Sequence, residues 1–324
     1  MTAHPIQIAS ATDARFAGDC AAMLASLVHR HSPQAIHVHL LHDDSLSADE
    51  LATLERIVRE PGGSFSAIST MKEKALTLAA SDRFPLRIWY RVFLPELLPS
   101  ISRVLYLDAD TLIAAPLDEL WQTELGGNLV GAVTNPLYTN MVPRIVAELG
   151  LPNGQSYFNS GVLIVDLDGW RQHATTAAVL AFARTHPLVW PDQDALNAVL
   201  HRRRLRLPPR WNAMPGIWEL PRSYLPYSDA EVHEAARNPA IVHFVGPYKP
   251  WHYRSRHPYR ATYFRYLEGT CWQGRPIEGR SAWQAVLRRL PTVWADQTEL
   301  ALARWQDRRP YLMLRRRAQI LRGR

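Results

Sequence analysis

One stretch limits the fold more than any other: Arg103–Ala114, RVLYLDADTLIA. Val104, Leu105, Tyr106 and Leu107 form an unbroken apolar run, which reads as a strand buried on both faces and so as an inner strand of a parallel sheet. The run stops on charge. Asp108 and Asp110, two apart in extended chain, point the same way beyond the carboxyl end of that strand, where open α/β sheets hold their ligands. Two carboxylates that close repel each other unless a cation lies between them, so a hard divalent metal would satisfy them. The alternative is that one of them caps a turn or the next helix, and a bare D-x-D fits both readings.

The chain before this stretch alternates strand and helix. Ile6–Ala9 reads as a short strand, Phe16–His31 has the spacing of a helix, and Ala35–Leu41 is a second strand carrying His37 and His39. In the helix that follows, Ser47 and Glu50 make a capping box ahead of the apolar stripe Leu51, Leu54, Ile57 and Val58. Pro61-Gly62-Gly63 ends it, and Ser64–Ile68 begins another strand. This is βαβ order, and it predicts an α/β domain. Neither G-x-G-x-x-G nor G-x-x-x-x-G-K-[ST] is present, so a dinucleotide fingerprint and a P-loop are excluded. Further strands are predicted at Leu129–Thr134 and Tyr157–Asp166, and helices at Ala174–Arg184 and Gln193–His201, the last behind Pro191 and Asp192 at a natural start. From Trp211 to Tyr266 twelve of 56 residues are aromatic and prolines recur, which suits irregular chain pinned by aromatic packing better than a second wound domain.

The net charge of +7 raises the question of nucleic acid, but its location answers against it. Residues 304–324 hold eight arginines and one aspartate, which is the whole excess, and the rest of the chain is neutral overall. Arginine alternates there with Trp305, Tyr311, Leu312, Leu314, Ile320 and Leu321, a mixture suited to an anionic membrane surface or, equally, to a helix whose apolar side packs on the body. Cys20 and Cys271 are too few for a disulfide framework and lack zinc spacing, as a reducing cytoplasm would allow. The N-terminus lacks the pattern of a signal peptide, and no run approaches the roughly 20 apolar residues of a membrane span.

Four constellations stand in order: A-T-D at 11–13, D-A-D at 108–110, P-D-Q-D at 191–194 and H-F-V-G-P-Y-K-P-W at 243–251, with YFNSGVLIVD between the second and third. In this the chain resembles the family 8 retaining glycosyltransferases, in particular the bacterial lipopolysaccharide α-galactosyl- and α-glucosyltransferases, from about Ile6 to Trp251. The resemblance implies one glycosyltransferase-A type, Rossmann-like domain with a mostly parallel central sheet over residues 1–270. Residues 271–324 would form a basic, helical, membrane-associating tail on the inner face of the plasma membrane.

The resemblance also assigns roles. Asp108, Asp110 and His243 match metal ligands, a mixed oxygen and nitrogen set that suits Mn²⁺, with Mg²⁺ as the alternative. Such a metal stabilises charge on departing UDP as a Lewis acid. Asp13 and Phe16 match contacts to the uracil, and Arg91, Ala109, Asn159, Gly246 and Lys249 match contacts to the rest of the UDP-sugar. Asp192, Gln193 and Asp194 match the catalytic segment. An amide oxygen at Gln193 is a poor nucleophile, which favours entry of the acceptor on the face that UDP leaves over double displacement, with Asp194 kept for a covalent variant. The activity implied is transfer of galactose or glucose from UDP to a saccharide hydroxyl, the acceptor being lipid-linked. Departures fall at Arg15, where relatives carry a small polar residue, and at Asn135, where several carry aspartate.

Two other classes share parts of this pattern. Haloacid-dehalogenase-type phosphatases also carry D-x-D after an apolar strand, but Thr111 stands one residue too early for their signature. A non-catalytic membrane- or nucleic-acid-binding protein built on the tail would not need D-A-D and P-D-Q-D together.

Overall fold

The structure, a computed structural model, describes residues 5–32, 35–69, 86–136 and 142–290. The basic tail at 304–324, with its expected helix, lies outside the described residues.

Seven strands form the central sheet in the order β3-β2-β1-β4-β7-β6-β8. They are β1 (Ile6–Thr12), β2 (Ile36–His42), β3 (Ser64–Ser69), β4 (Arg103–Asp108), β6 (Val130–Thr134), β7 (Phe158–Asp166) and β8 (Arg204–Leu207). The short strands β5 (Thr111–Ile113) and β9 (Ile241–His243) pair with each other, antiparallel, as a separate ribbon. In the large sheet all neighbours are parallel except at β7, which runs antiparallel to both β4 and β6.

The predicted inner strand is therefore inner, but it sits where the parallel half meets the reversed strand. Its pattern could not have shown this, because a strand buried on both faces reads the same in either direction. Leu105 and Leu107 face one core and Val104 and Tyr106 the other, all fully or almost fully buried. Each such side chain stabilises the fold by about 1.5–3 kcal/mol.

Helix α1 (Ala17–Arg30) is buried along most of its length, its small residues Gly18, Ala21 and Ala22 among the buried ones, and Gly18 leaves room for Trp272. Helix α2 (Ala48–Arg59) begins with the expected box: Ser47 Oγ accepts from Glu50 N–H, and Glu50 accepts from Ser47 N–H at 2.9 Å. Helices α3 (Thr175–Thr185) and α4 (Pro191–Leu200) pack together behind β7, with Pro191 at the first helical position of α4. The aromatic region is irregular for the most part, as expected, with short turns of helix before β9, but it also holds two regular helices, Asp229–Arg237 and Arg260–Tyr266.

Beyond residue 270 the described chain packs back on the body. Trp272 lies against Gly18, Arg275 pairs with Asp19 of α1 at 3.1 Å, and α5 (Ala282–Leu287) follows. Among the described residues no helix is long and apolar enough to cross a membrane.

Candidate functional site

The site forms where β1 and β4 end and β7 begins, against the β5–β9 ribbon. Asp108 closes β4, Ala109 and Asp110 make the turn, and Thr111 Oγ1 donates to the Asp108 carbonyl to fasten it. The ribbon then sets Thr111 opposite His243, and Phe244 N–H donates to the Asp110 carbonyl at 3.0 Å. Residues far apart in sequence are thereby fixed by backbone pairing. Ligand atoms of Asp108, Asp110 and His243 lie within 4.8 Å of one another, close enough to hold one metal ion. His243 Nε2 is 3.2 Å from Asp110 Oδ1 and 3.8 Å from Asp108 Oδ2. Two carboxylates and an imidazole converging on one point fit a divalent cation, and the Lys249 ammonium already donates to Asp110 Oδ2 and to the Phe244 carbonyl. Burial pushes the Asp110 carboxyl up, but Lys249 and His243 outweigh it and hold the group well below the usual carboxylate range.

Gly161 makes this convergence possible. A Cβ there would overlap both the His243 ring and the Asp108 carboxylate, so only glycine leaves room for the pair. Gly246 has a different reason: its φ of +97° lies in the left-handed region, and it turns the chain between His243 and Lys249.

Arg91 comes from a 3₁₀ helix, Leu86–Phe93, and is buried rather than facing solvent. Its Nη2 donates to Asp108 Oδ1 at 2.7 Å, its Nη1 to the Ser160 carbonyl at 2.6 Å, and its Nε lies 3.3 Å from Asp192 Oδ2. Burial works against its charge, yet the carboxylates of Asp108 and Asp192 outweigh that and raise its pKa. The same burial raises Asp192, which Arg91 partly offsets.

On the other side of β7 the site is made of amides. Gln193 Oε1 accepts from Ser160 N–H at 3.0 Å and from Asn159 Nδ2 at 3.1 Å, while its Nε2 donates to the Tyr157 hydroxyl at 2.9 Å. Tyr157 in turn donates to Asp194 Oδ1 at 2.5 Å, and Asp194 Oδ2 accepts from Val189 and Trp190 N–H. Asp194 is thus engaged in holding the start of α4. Asn159 also donates to Asn135 Oδ1 at 3.2 Å, so the departure at 135 lies inside this network.

The first loop lies beside the metal corner, because Ala11 is in register with Asp108. Asp13 is buried and its Oδ1 accepts from Phe16 N–H at 3.1 Å, while Arg15 is exposed with its guanidinium 5.7 Å from the Phe16 ring centre.

All the candidate residues therefore come to one end of the sheet. Sequence reasoning missed Tyr157, Ser160, Gly161 and Asn212. The first three stand in the YFNSGV segment, whose pattern does not tell these roles apart, whereas Asn212 carries no pattern at all.

Residues 7–255 match a family model described as glycosyl transferase family 8. General stress protein A of Bacillus subtilis (strain 168) is 31% identical over 277 residues, covering 82% of this chain and 94% of that protein. The lipopolysaccharide 1,2-glucosyltransferase of Escherichia coli (strain K12) is 28% identical over 208 residues, 62% of this chain and 60% of that protein. Among solved structures, the galactosyltransferase LgtC in complex with donor and acceptor sugar analogues shares the fold. It has a TM-score of 0.69 at 24% identity, over 86% of this chain and 99% of that one.

Proposed function

The chain belongs to glycosyl transferase family 8 and has a glycosyltransferase-A type fold, and on that premise we propose the reaction it performs. It moves galactose or glucose from a UDP-sugar to a saccharide hydroxyl, with retention of α configuration and dependence on Mn²⁺, in the synthesis of lipopolysaccharide or another cell-surface glycan. The observation that carries this reading is the convergence of Asp108, Asp110 and His243 beside a wall of fixed amides.

A metal held by Asp108, Asp110 and His243 would supply Lewis-acid stabilisation of the departing diphosphate. Lys249 would turn its ammonium from Asp110 to the same phosphates, and Gly246 lets the chain approach them through its backbone. Asp13 and Phe16 would hold the uracil. Arg91 acts mainly through others, holding the carboxylates of Asp108 and Asp192 in place.

Gln193 would face the sugar with its Oε1 already accepting three protein hydrogen bonds, from Asn159 Nδ2, Ser160 N–H and Ser160 Oγ, which lowers its power as a nucleophile. That favours the front-face route, with Asp192 and the amide dipole stabilising positive charge at the anomeric carbon and a UDP oxygen taking the acceptor's proton. Residues 1–270 would form the catalytic domain. Residues 304–324 would rest on the anionic cytoplasmic surface of the membrane, near a lipid-linked acceptor.

The test is UDP release by the purified protein against a panel of UDP-sugars, with Mn²⁺, with Mg²⁺ and with chelator. Slow, metal-dependent hydrolysis of UDP-galactose or UDP-glucose is expected. A protein that neither hydrolyses nor is stabilised by any UDP-sugar would overturn the assignment of donor.

A further inference from the structure

We propose that Asn212 is a positioning residue that holds His243 with its proton on Nδ1, so that the Nε2 lone pair faces the space between Asp108 and Asp110. The inference rests on the metal reading of that corner.

The orientation follows from groups that cannot be turned round. The oxygen and nitrogen of a side-chain amide are told apart by their partners, and a backbone N–H can only donate. Gly161 N–H donates to one atom of the Asn159 amide at 3.0 Å, which must be its oxygen. A second backbone donor agrees: Ser160 N–H requires the Gln193 atom at 3.0 Å to be oxygen, and the Asn159 atom that meets this oxygen must then be nitrogen.

Asn212 lies 2.8 Å from the Asn159 oxygen, so it donates there through Nδ2. Its own oxygen is left facing His243 Nδ1 at 2.9 Å, and Nδ1 must bring the proton. Asn212 and His243 are both buried, and His243 N–H donates to the carbonyl of Ala213, so the pair is held by backbone as well.

The consequence is chemical. A histidine side chain left alone favours a proton on Nε2, which would turn a donor toward the cation. A metal ligand needs the lone pair there, and the partner of the other ring nitrogen decides the matter. The chain of amides that fixes His243 ends on Gln193, so the charged corner and the sugar-facing corner share one set of hydrogen bonds.

The experiment has two arms. In the unsubstituted protein with ¹⁵N-labelled histidine, His243 Nδ1 should carry a directly bonded proton; an unprotonated Nδ1 would overturn the proposal whatever the site binds. In the second arm Mn²⁺ binding is followed through the electron paramagnetic resonance of the free ion, alone and with UDP. Asn212→Leu should weaken binding by about ten- to a hundredfold. Asn212→Asp, which still accepts from Nδ1 but cannot donate to Asn159, should keep the affinity within about threefold or tighten it, a split that general damage to the fold would not produce. Equal loss in both variants, or none in Asn212→Leu, would overturn the proposal. Failure of the unsubstituted protein to take up Mn²⁺ would instead sink the metal reading, and the resonance of Nδ1 would still judge Asn212.

Discussion

Two buried carboxylates near the same end of the molecule are treated in opposite ways. Asp110 keeps 12% of its side chain exposed and meets two cationic or potentially cationic partners, Lys249 and His243. Asp19, on α1, is sealed; it pairs with Arg275 at 3.1 Å, which also stacks on Trp251, and it meets the Tyr263 hydroxyl. Burial lifts both groups. At Asp19 it wins, and the carboxyl is pushed up to about 7 against the pull of Arg275. At Asp110 the partners win and the group stays ionised. One arginine does not repay the desolvation of a sealed carboxylate that also feels the Asp110 charge, whereas an ammonium in contact and an opening to solvent do, with His243 adding to them only while both its ring nitrogens are protonated. The first arrangement fastens a segment to the body; the second keeps negative charge ready for a cation.

The sharpest way to break this contrast is to remove the charge at its open end. Asp110→Asn should lower Mn²⁺ affinity at least about a hundredfold, more than loss of an outer-shell partner costs, and abolish metal-dependent turnover while the protein still folds. Calorimetric titration with the metal checks it, and unchanged affinity would remove Asp110 from the ligand set. Gly161→Ala attacks the same corner by volume. The added methyl must displace the His243 ring or the Asp108 carboxylate, at about 1–3 kcal/mol of stability and roughly tenfold in metal affinity, read by urea denaturation and the same titration. A variant as stable as its parent, with full affinity, would mean that the corner is looser than its geometry.

The contrast also marks what could be read from the chain. The open site was legible because its chemistry sits in runs: a strand ending on Asp108 and Asp110, a proline-started helix carrying Asp192, Gln193 and Asp194, and a turn beyond His243. The capping box at Ser47 and Glu50 and the βαβ order were legible for the same reason, since each signal is local. What escaped depends on distant partners. The reversal of β7 leaves no trace in a doubly buried strand. The burial of Arg91 follows from Asp108 and Asp192, 17 and 101 positions away in numbering, and nothing local distinguishes it from a surface arginine. Asn212 is one polar residue after Trp211, and its part appears only when β9 brings His243 beside it. Asp19 reads as an ordinary acidic residue in the first turn of α1, until Arg275 arrives from the other end of the described chain.

The sealed end of the contrast has its own, smaller signature in pH. A free aspartate titrates near 3.9, and Asp19 in the folded protein near 7, so between those values the folded state holds a proton that the unfolded state has released. Stability from this group is fully present below about pH 4, falls as pH rises towards 7, and then levels off, with a slope of at most about 1.4 kcal/mol per pH unit. The raw profile will not show it cleanly. Burial lowers His39 and His257 to about 4, so those groups take up protons on unfolding below about pH 6.5 and tilt stability the other way over the same range. Asp110, held low, acts only below about pH 4, where protons begin to bind the unfolded chain first. The informative quantity is the difference between the unsubstituted protein and Asp19→Asn, in which the histidines cancel to the extent that they are independent of position 19, while Asp110, whose charge itself helps to raise Asp19, stays ionised across the range used. That difference, from urea midpoints at pH 5 and pH 7.5, should turn against the unsubstituted protein as pH rises. A flat difference would show that Arg275 keeps Asp19 ionised after all, and the two carboxylates would then differ in setting but not in charge.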